Sequence, residues 1–219
     1  VRVLFIDFSK AFDIIDHTVL CKKLIDGKFP PHIVAWSLSF LQDRFQYVKV
    51  GNLLSSPCVV NAGAPQGTRA GPDDFRLIIN DLLFSLPCVK YVDDVTVASV
   101  SRDSSDNRLQ EAVDYLMHWC TDNGMRLNIA KTKEMIVHFG RREPSNAVPM
   151  LSIRASNVER VTTFKLLGVF FSSDLSWSAH ISYILKKSAK RLYVVYQLVR
   201  AGINMRDIVS VYCSLIRSI

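Results

Sequence analysis

Two adjacent carboxylates, Asp93 and Asp94, interrupt the apolar stretch Val89-Lys90-Tyr91-Val92-Asp93-Asp94-Val95-Thr96-Val97. The β-branched runs on either side read as strands, and the two acids between them read as a tight hairpin loop. Such loops favour Asn-Gly, Asp-Gly or Gly-Gly, because the turn requires positive φ. Asp-Asp is a poor choice: neighbouring like charges repel, and apolar flanks raise the cost of ionisation. Two readings follow. The pair is an exposed acidic turn, or it is a site whose repulsion is offset by a divalent cation.

The chain of 219 residues, 49% of them hydrophobic, can bury a sizeable core in one domain or slightly more. No apolar run approaches the length of a membrane span. Val1-Arg2-Val3-Leu4-Phe5-Ile6 is strand-like and does not resemble a signal peptide. The opening inside a strand pattern, and the close inside a helical one, suggest an excerpt of a longer polypeptide. Cys21, Cys58, Cys88, Cys120 and Cys213 are scattered singly, and neither they nor the five histidines have zinc-site spacing. Dispersed thiols suggest a reducing compartment, hence an intracellular protein of the cytoplasm or nucleus.

The net charge of +7 is unevenly placed. From Ser178 onward Lys186, Lys187, Lys190, Arg191, Arg200, Arg206 and Arg217 face one acid, Asp207. Nearly all the excess therefore lies on the last segment, as expected either of a surface that grips nucleic acid or of a solvated helix face.

In chain order, residues 1–8 form a short strand ending on Asp7, with Asp13 and Asp16 as helix-start residues. Helices follow over 17–27 and from Ile33 to Leu41, separated by Gly27 and Pro30-Pro31. Residues 45–50 and 56–61 flank Gly51-Asn52 as a hairpin. Gly63-Ala64-Pro65-Gln66-Gly67-Thr68-Arg69-Ala70-Gly71-Pro72 is a loop rich in glycine, which lets a backbone approach a ligand closely. Pro72 opens a helix, with Asp73 and Asp74 in its first turn and Phe75, Ile79, Leu82, Leu83 and Leu86 as its apolar stripe. An amphipathic helix over 104–123 buries Leu109, Val113, Leu116, Met117 and Cys120. Strands follow at 134–139, 151–153, 158–161 and 164–171. The last segment is helical, with Ile181, Ile184, Leu185, Leu192, Val195 and Val199 as its buried face. Gly202 stops that helix, and Asn204 and Asp207 frame the next.

This order predicts an α+β fold, an antiparallel sheet with helices packed on one face. The Asp7 strand beside the acidic hairpin would bring three carboxylates together. Such oxygen donors suit Mg²⁺, which binds one or two carboxylates plus substrate phosphates. Two such ions can serve an in-line phosphoryl displacement. The residues alone leave a polymerase and a nuclease both open.

Five stretches carry a family resemblance: Phe5-Ile6-Asp7-Phe8-Ser9-Lys10-Ala11-Phe12-Asp13, Gly63-Ala64-Pro65-Gln66-Gly67-Thr68 with Gly71-Pro72, Tyr91-Val92-Asp93-Asp94, Leu127-Asn128 with Lys131-Thr132, and Leu166-Leu167-Gly168-Val169. They resemble, in order, the palm motifs of reverse transcriptases, and in wording those of non-LTR, LINE-type retrotransposons. The resemblance implies a right-hand polymerase palm with partial fingers over 1–175 and the start of a helical thumb over 176–219. It implies two Mg²⁺ ions (or Mn²⁺) held by Asp7 and Asp93 with Asp94 as helper. It places Phe12 beneath the incoming sugar, excluding a 2′-OH, and Gln66 and Gly67 beside the incoming nucleotide. Lys131 would protonate the pyrophosphate leaving group. Leu167, Gly168 and Val169 would grip the primer, while Lys186, Lys187, Lys190 and Arg191 would hold the duplex. The implied reaction is attack of a DNA primer 3′-OH on a dNTP, templated by RNA, with no membrane involved. Three departures from the pattern stand out. Val92 replaces the commoner Ala, Arg69-Ala70 and Asp73-Asp74 replace apolar residues, and the upstream fingers motifs are absent. The alternatives are a remnant that binds nucleic acid without catalysis and a two-metal nuclease.

Overall fold

The computed structural model describes residues 1–65, 67–101, 106–137, 139 and 148–218. The chain divides into two compact units, Val1–Ile136 with Pro144–Arg160, and Val137–Glu143 with Val161–Ile219. Among the described residues no helix is long and apolar enough to cross a membrane.

The first unit opens with β1 (Arg2–Ile6), then α1 (His17–Asp26) and α2 (Pro31–Leu41). The Asp16 carboxylate accepts from the N–H groups of Thr18 and Val19, which fixes the start of α1. A long hairpin follows. Its outer part pairs β2 (Arg44–Gln46) with β5 (Cys58–Val60), and its tip pairs β3 (Lys49–Val50) with β4 (Leu53–Leu54) around Gly51-Asn52. Next come α3 (Ala70–Ile79), β6 (Cys88–Tyr91), β7 (Asp94–Ser99), α4 (Arg108–Asp122) and β8 (Lys133–Ile136). The small hairpin β9 (Ser152–Ile153) and β10 (Ser156–Asn157) precedes β11 (Glu159–Arg160).

Five strands form the main sheet in the order β11-β8-β1-β7-β6. All neighbours are antiparallel except β11, which runs parallel to β8. In β7, Val95, Val97 and Ser99 are buried while Asp94, Thr96 and Ala98 are partly exposed, the alternation of a sheet covered unequally on its two faces. Leu4 and Ile6 stand opposite Val97 and Val95, and all four join one core with Phe75, Ile78, Leu109, Val113 and Leu116 of the helices. Phe75 is completely buried and packs edge-on against Phe8. Burial of a side chain of this size contributes about 2–3 kcal/mol.

Several expectations change here. Helix α3 starts at Ala70, two residues before Pro72, and stops at Ile79 rather than running to Leu86. Two lysines meet the carbonyls that its end leaves unpaired. Lys90 Nζ donates to Ile79 O, Asn80 O and Leu82 O, and Lys23 Nζ donates to Ile78 O. Leu82 and Leu86 are still buried beyond the helix, whereas Leu83 is exposed. In the acidic hairpin Tyr91 pairs with Asp94, so the two turn residues are Val92 and Asp93. The positive φ of 54° falls on Val92, and Asp94 is the first residue of β7. Helix α4 starts at Arg108 rather than at 104, since residues 106 and 107 are not helical and 104 and 105 lie outside the described residues; it buries Trp119 as well as the expected residues other than Met117, which is half-buried.

The second unit holds the hairpin β12 (Thr163–Leu166) and β13 (Val169–Ser172), then α5 (Ser178–Arg200) and α6 (Met205–Leu215). The 164–171 stretch is thus two strands, turned at Leu167 and Gly168 with φ of 47° and 90°. The Asn204 side chain accepts from Arg206 N–H and starts α6. No residue of α5 is buried, and Ile181, Leu185, Leu192 and Val199 of the expected buried face are exposed. Within this unit α5 packs against α6 and β13, too little surface to cover a 23-residue helix.

Candidate active site

The register Ile6↔Val95, continued by one step, sets Asp7 level with Asp94. By parity both acids project from the face opposite to Leu4, Ile6, Val95 and Val97. Asp93 sits in the adjoining turn. Burial raises the Asp94 carboxyl above the ordinary carboxylate range, and the charges of Asp93 and then Asp7 push it further the same way. Asp7 Oδ2 is buried and has no hydrogen-bond partner among the described residues. The nearest cation is the exposed Lys131, whose Nζ lies 3.9 Å away. Among the described residues no three His, Cys, Asp or Glu side chains form a preassembled metal cage. An orphaned, buried carboxylate oxygen beside two further acids nonetheless has the chemistry of a divalent-cation donor set, since Mg²⁺ takes few protein oxygens and completes its shell with water and phosphate.

Asp7 is held mainly through its backbone. Asn128 N–H donates to Asp7 O at 2.8 Å, and Asp7 N–H meets Thr132 Oγ1 at 3.4 Å. Beside it Phe8 bridges Leu127, and Ser9 N–H donates to Arg126 O at 2.8 Å. The segment closes on itself, because Asn128 O accepts from Lys131 N–H and Thr132 N–H while Asn128 Oδ1 also faces Lys131 N–H. The sequence drew attention to Lys131 in this motif. Thr132, completely buried, and Asn128 are the residues that position Asp7.

Phe12 is half-buried and packs at 5.2 Å against Phe75 with the rings tilted by 38°, so α3 supports it. The glycine loop is tied to the same turn: Gly63 N–H donates to Ile15 O, Ala64 N–H donates to Phe12 O, and His17 Nε2 bonds Gly63 O. A Cβ at Gly63 would come within 2.7 Å of Asp13 O, so only glycine fits. Gly67, with φ of 80°, has the reverse surroundings, since a Cβ there would meet nothing within 4 Å among the described residues. Gln66 lies outside the described residues. The two unusual acids of α3 part company. Asp73 is exposed and pairs with Arg76 at 3.3 Å, whereas Asp74 is buried. Burial, aided by Asp73 and opposed by His17, pushes the Asp74 carboxyl up to about 6.

In the second unit, Leu167 is exposed at the tip of its hairpin, with Gly168 and Val169 completing the turn and the return strand. Lys186 and Lys190 project from α5. Lys187 lies over the Tyr183 ring, and Arg191 donates to Leu215 O near the end of α6. Of the four basic residues, Lys186 and Lys190 are exposed, while Lys187 and Arg191 are engaged within the unit.

A family profile described as reverse transcriptase (RNA-dependent DNA polymerase) matches residues 2–171. The chain is 28% identical over 192 residues to the RNA-directed DNA polymerase from mobile element jockey of Drosophila melanogaster, covering 82% of this chain and 20% of that protein. It is 27% identical over 222 residues to a probable RNA-directed DNA polymerase from transposon BS of the same fly, covering 94% of this chain and 23% of that protein. A Pol polyprotein from the type-1 retrotransposable element R1 of Bradysia coprophila is 24% identical over 189 residues, 83% of this chain and 18% of its own length. The chain therefore spans about a fifth of the length of these relatives. With more than three-quarters of its residues inside the profile, the chain belongs to the reverse transcriptase (RNA-dependent DNA polymerase) family.

Proposed function

We propose that this chain carries the polymerase palm, over 1–175, and the start of the thumb, over 176–219, of an RNA-directed DNA polymerase from a non-LTR retrotransposon. The reaction is transfer of a nucleotide from dNTP to a primer 3′-OH on an RNA template, inside the cell. The observation that carries this reading is the register that sets Asp7 beside Asp94, with Asp7 Oδ2 buried and unpartnered. Asp7, Asp93 and Asp94 would hold two Mg²⁺ ions (Mn²⁺ suits the same donors), which supply Lewis-acid activation and charge neutralisation at the phosphates.

The chain's own residues position the reactants. Thr132 and Asn128 fix the Asp7 backbone, so the carboxylate is oriented before substrate arrives. Phe12, braced by Phe75, forms the platform beneath the sugar and excludes a 2′-OH. Gly67 leaves its surface open to the incoming nucleotide, which Gln66 would also contact. Lys131, with its Nζ 3.9 Å from Asp7 Oδ2, would deliver a proton to the departing pyrophosphate. Leu167, Gly168 and Val169 grip the primer end, while Lys186 and Lys190, with Lys187 and Arg191 behind them, neutralise the duplex backbone.

RNA-templated primer extension, with the chain inside a polypeptide of its relatives' length, tests this. Asp93→Asn lowers extension by about 10²–10³-fold; extension at the parent rate would sink the reading. A second reading, a remnant that binds nucleic acid without synthesis, draws on Asp74, a buried acid next to the glycine loop. It predicts salt-dependent binding with no synthesis by the parent itself. Cleavage of nucleic acid without dNTPs would instead favour a nuclease.

A further inference from the structure

A cavity of about 360 Å³ opens beside the turn that follows Asp7, lined by residues of that turn, α4, the 125–129 segment and the β9–β10 hairpin. Buried Cys120, Met125 and Ile153 floor it, and Lys10, Arg126 and Arg154 are the exposed cations around it. Among the described residues none of these three cations lies within ion-pair distance of a carboxylate.

Two of the three cations stand on backbone that side chains ordinarily avoid. Lys10 has φ of 51° and Arg154 of 47°. Arg154 and Ala155, with φ of 62°, are the two turn residues between β9 and β10, where Asn-Gly is the favoured pair. Strained backbone of this kind concentrates at functional sites. An arginine there costs stability and gains nothing from packing, since it is exposed. It nevertheless lines the cavity, together with Cys120.

We propose that this cavity binds a phosphate-bearing nucleotide unit, with the phosphate on the Lys10–Arg126–Arg154 rim and the base or sugar on the apolar floor. Guanidinium forks match phosphate oxygens bidentately. Thioether and aliphatic groups suit a flat ring, and the volume is that of a small-ligand site. The unit can belong to a single RNA strand or to a free nucleotide. The inference rests on the cavity and its charges, not on the catalytic reading, and its test uses neither metal nor synthesis.

The test measures binding of a labelled 12-nucleotide oligouridylate, and separately of UTP, to the full chain in EDTA at several salt concentrations. Arg126→Gln is combined with Arg154→Gly, since glycine suits the left-handed turn and removes the cation without endangering the fold. Lys186→Gln with Lys190→Gln, in both backgrounds, isolates the contribution of α5. The expected result is oligouridylate binding weakened by at least about fivefold, with a shallower salt slope. A loss of that size for UTP alone assigns the cavity to free nucleotide. Weakening of neither ligand by as much as about fivefold overturns the proposal.

Discussion

Arg2 opens β1 and Asp7 follows its last residue, so one strand carries a charge cluster at each end. At the first end Glu134 of β8 is completely buried, yet both oxygens are taken. Arg2 Nε donates to Oε1 at 2.8 Å and Arg160 Nε to Oε2 at 3.0 Å. Arg2 Nη2 also lies 2.6 Å from Oε1. The spare guanidinium N–H groups turn to Pro149 O and Val148 O. Three strands, β1, β8 and β11, are thereby joined by one closed network. At the other end Asp7 has a buried oxygen with no hydrogen bond among the described residues, two acids for neighbours and a lysine at 3.9 Å. The first cluster has no lone pair left for a ligand. The second is left incomplete by the protein, and that incompleteness is what a substrate-borne phosphate and its cations would repair.

Glu134→Ala should have the largest effect. It leaves two guanidinium groups without a counter-charge and should cost about 3–5 kcal/mol in denaturant unfolding. Replacing Arg2, Glu134 and Arg160 together by apolar residues of similar volume should recover most of that loss. If the single change proves harmless, the contrast between the two ends collapses. At the other end Asp7→Asn should lower primer extension by about 10²–10³-fold while the melting temperature stays level or rises. A large loss of stability there would make Asp7 structural instead.

Asp74 offers an intermediate case, a buried acid next to the glycine loop with no ion pair among the described residues. Its carboxyl is raised to about 6, so between its unfolded value and 6 the folded state binds more protons than the unfolded one. Stability from this group is therefore present at pH 4 and is lost as the pH rises through 6. Asp74→Asn should stabilise by about 1–3 kcal/mol at pH 7 and by little at pH 4, as followed by denaturant unfolding at both pH values. A pH-independent gain would point to packing rather than charge. The smallest effect concerns Val92. A β-branched residue at φ of 54° is strained, but Val92 also packs against the core, so Val92→Gly relieves strain and loses contact together and should change stability by less than about 1 kcal/mol in thermal melts. The same change should slow extension if the strained turn aims Asp93.

Local signals in the sequence carried the elements that depend on local chemistry. The Asp16 cap, the Gly27 stop and the alternation of β7 are all readable from neighbours within a few residues. The partnership of Asp7 with the acidic hairpin was also legible, because both strands end on acids. What local patterns missed depends on distant partners. The end of α3 is met by Lys23 and Lys90, which sit on other elements. The turn slipped by one residue because pairing of Tyr91 with Asp94 outweighs the cost of placing Val92 at positive φ. Apolar periodicity marked a face on α5, but periodicity does not say whether a covering partner exists. In the Leu127-Asn128 to Lys131-Thr132 motif the charged residue drew the eye, whereas the contacts to Asp7 come from a main-chain N–H and a buried hydroxyl.

That last arrangement has a consequence for how this segment tolerates sequence drift. Because Arg126 and Asn128 meet the Asp7 strand through main-chain atoms, the exposed Ala130 side chain takes no part in these contacts, whereas Ile129 packs against the core. Saturation mutagenesis across 126–132 should yield a broken profile, permissive at Ala130 and strict at Thr132, where serine alone keeps the hydroxyl without adding bulk. Proline is the informative substitution at 128. It would delete the N–H that holds Asp7 O, and it would be rejected even though the position is only half-buried.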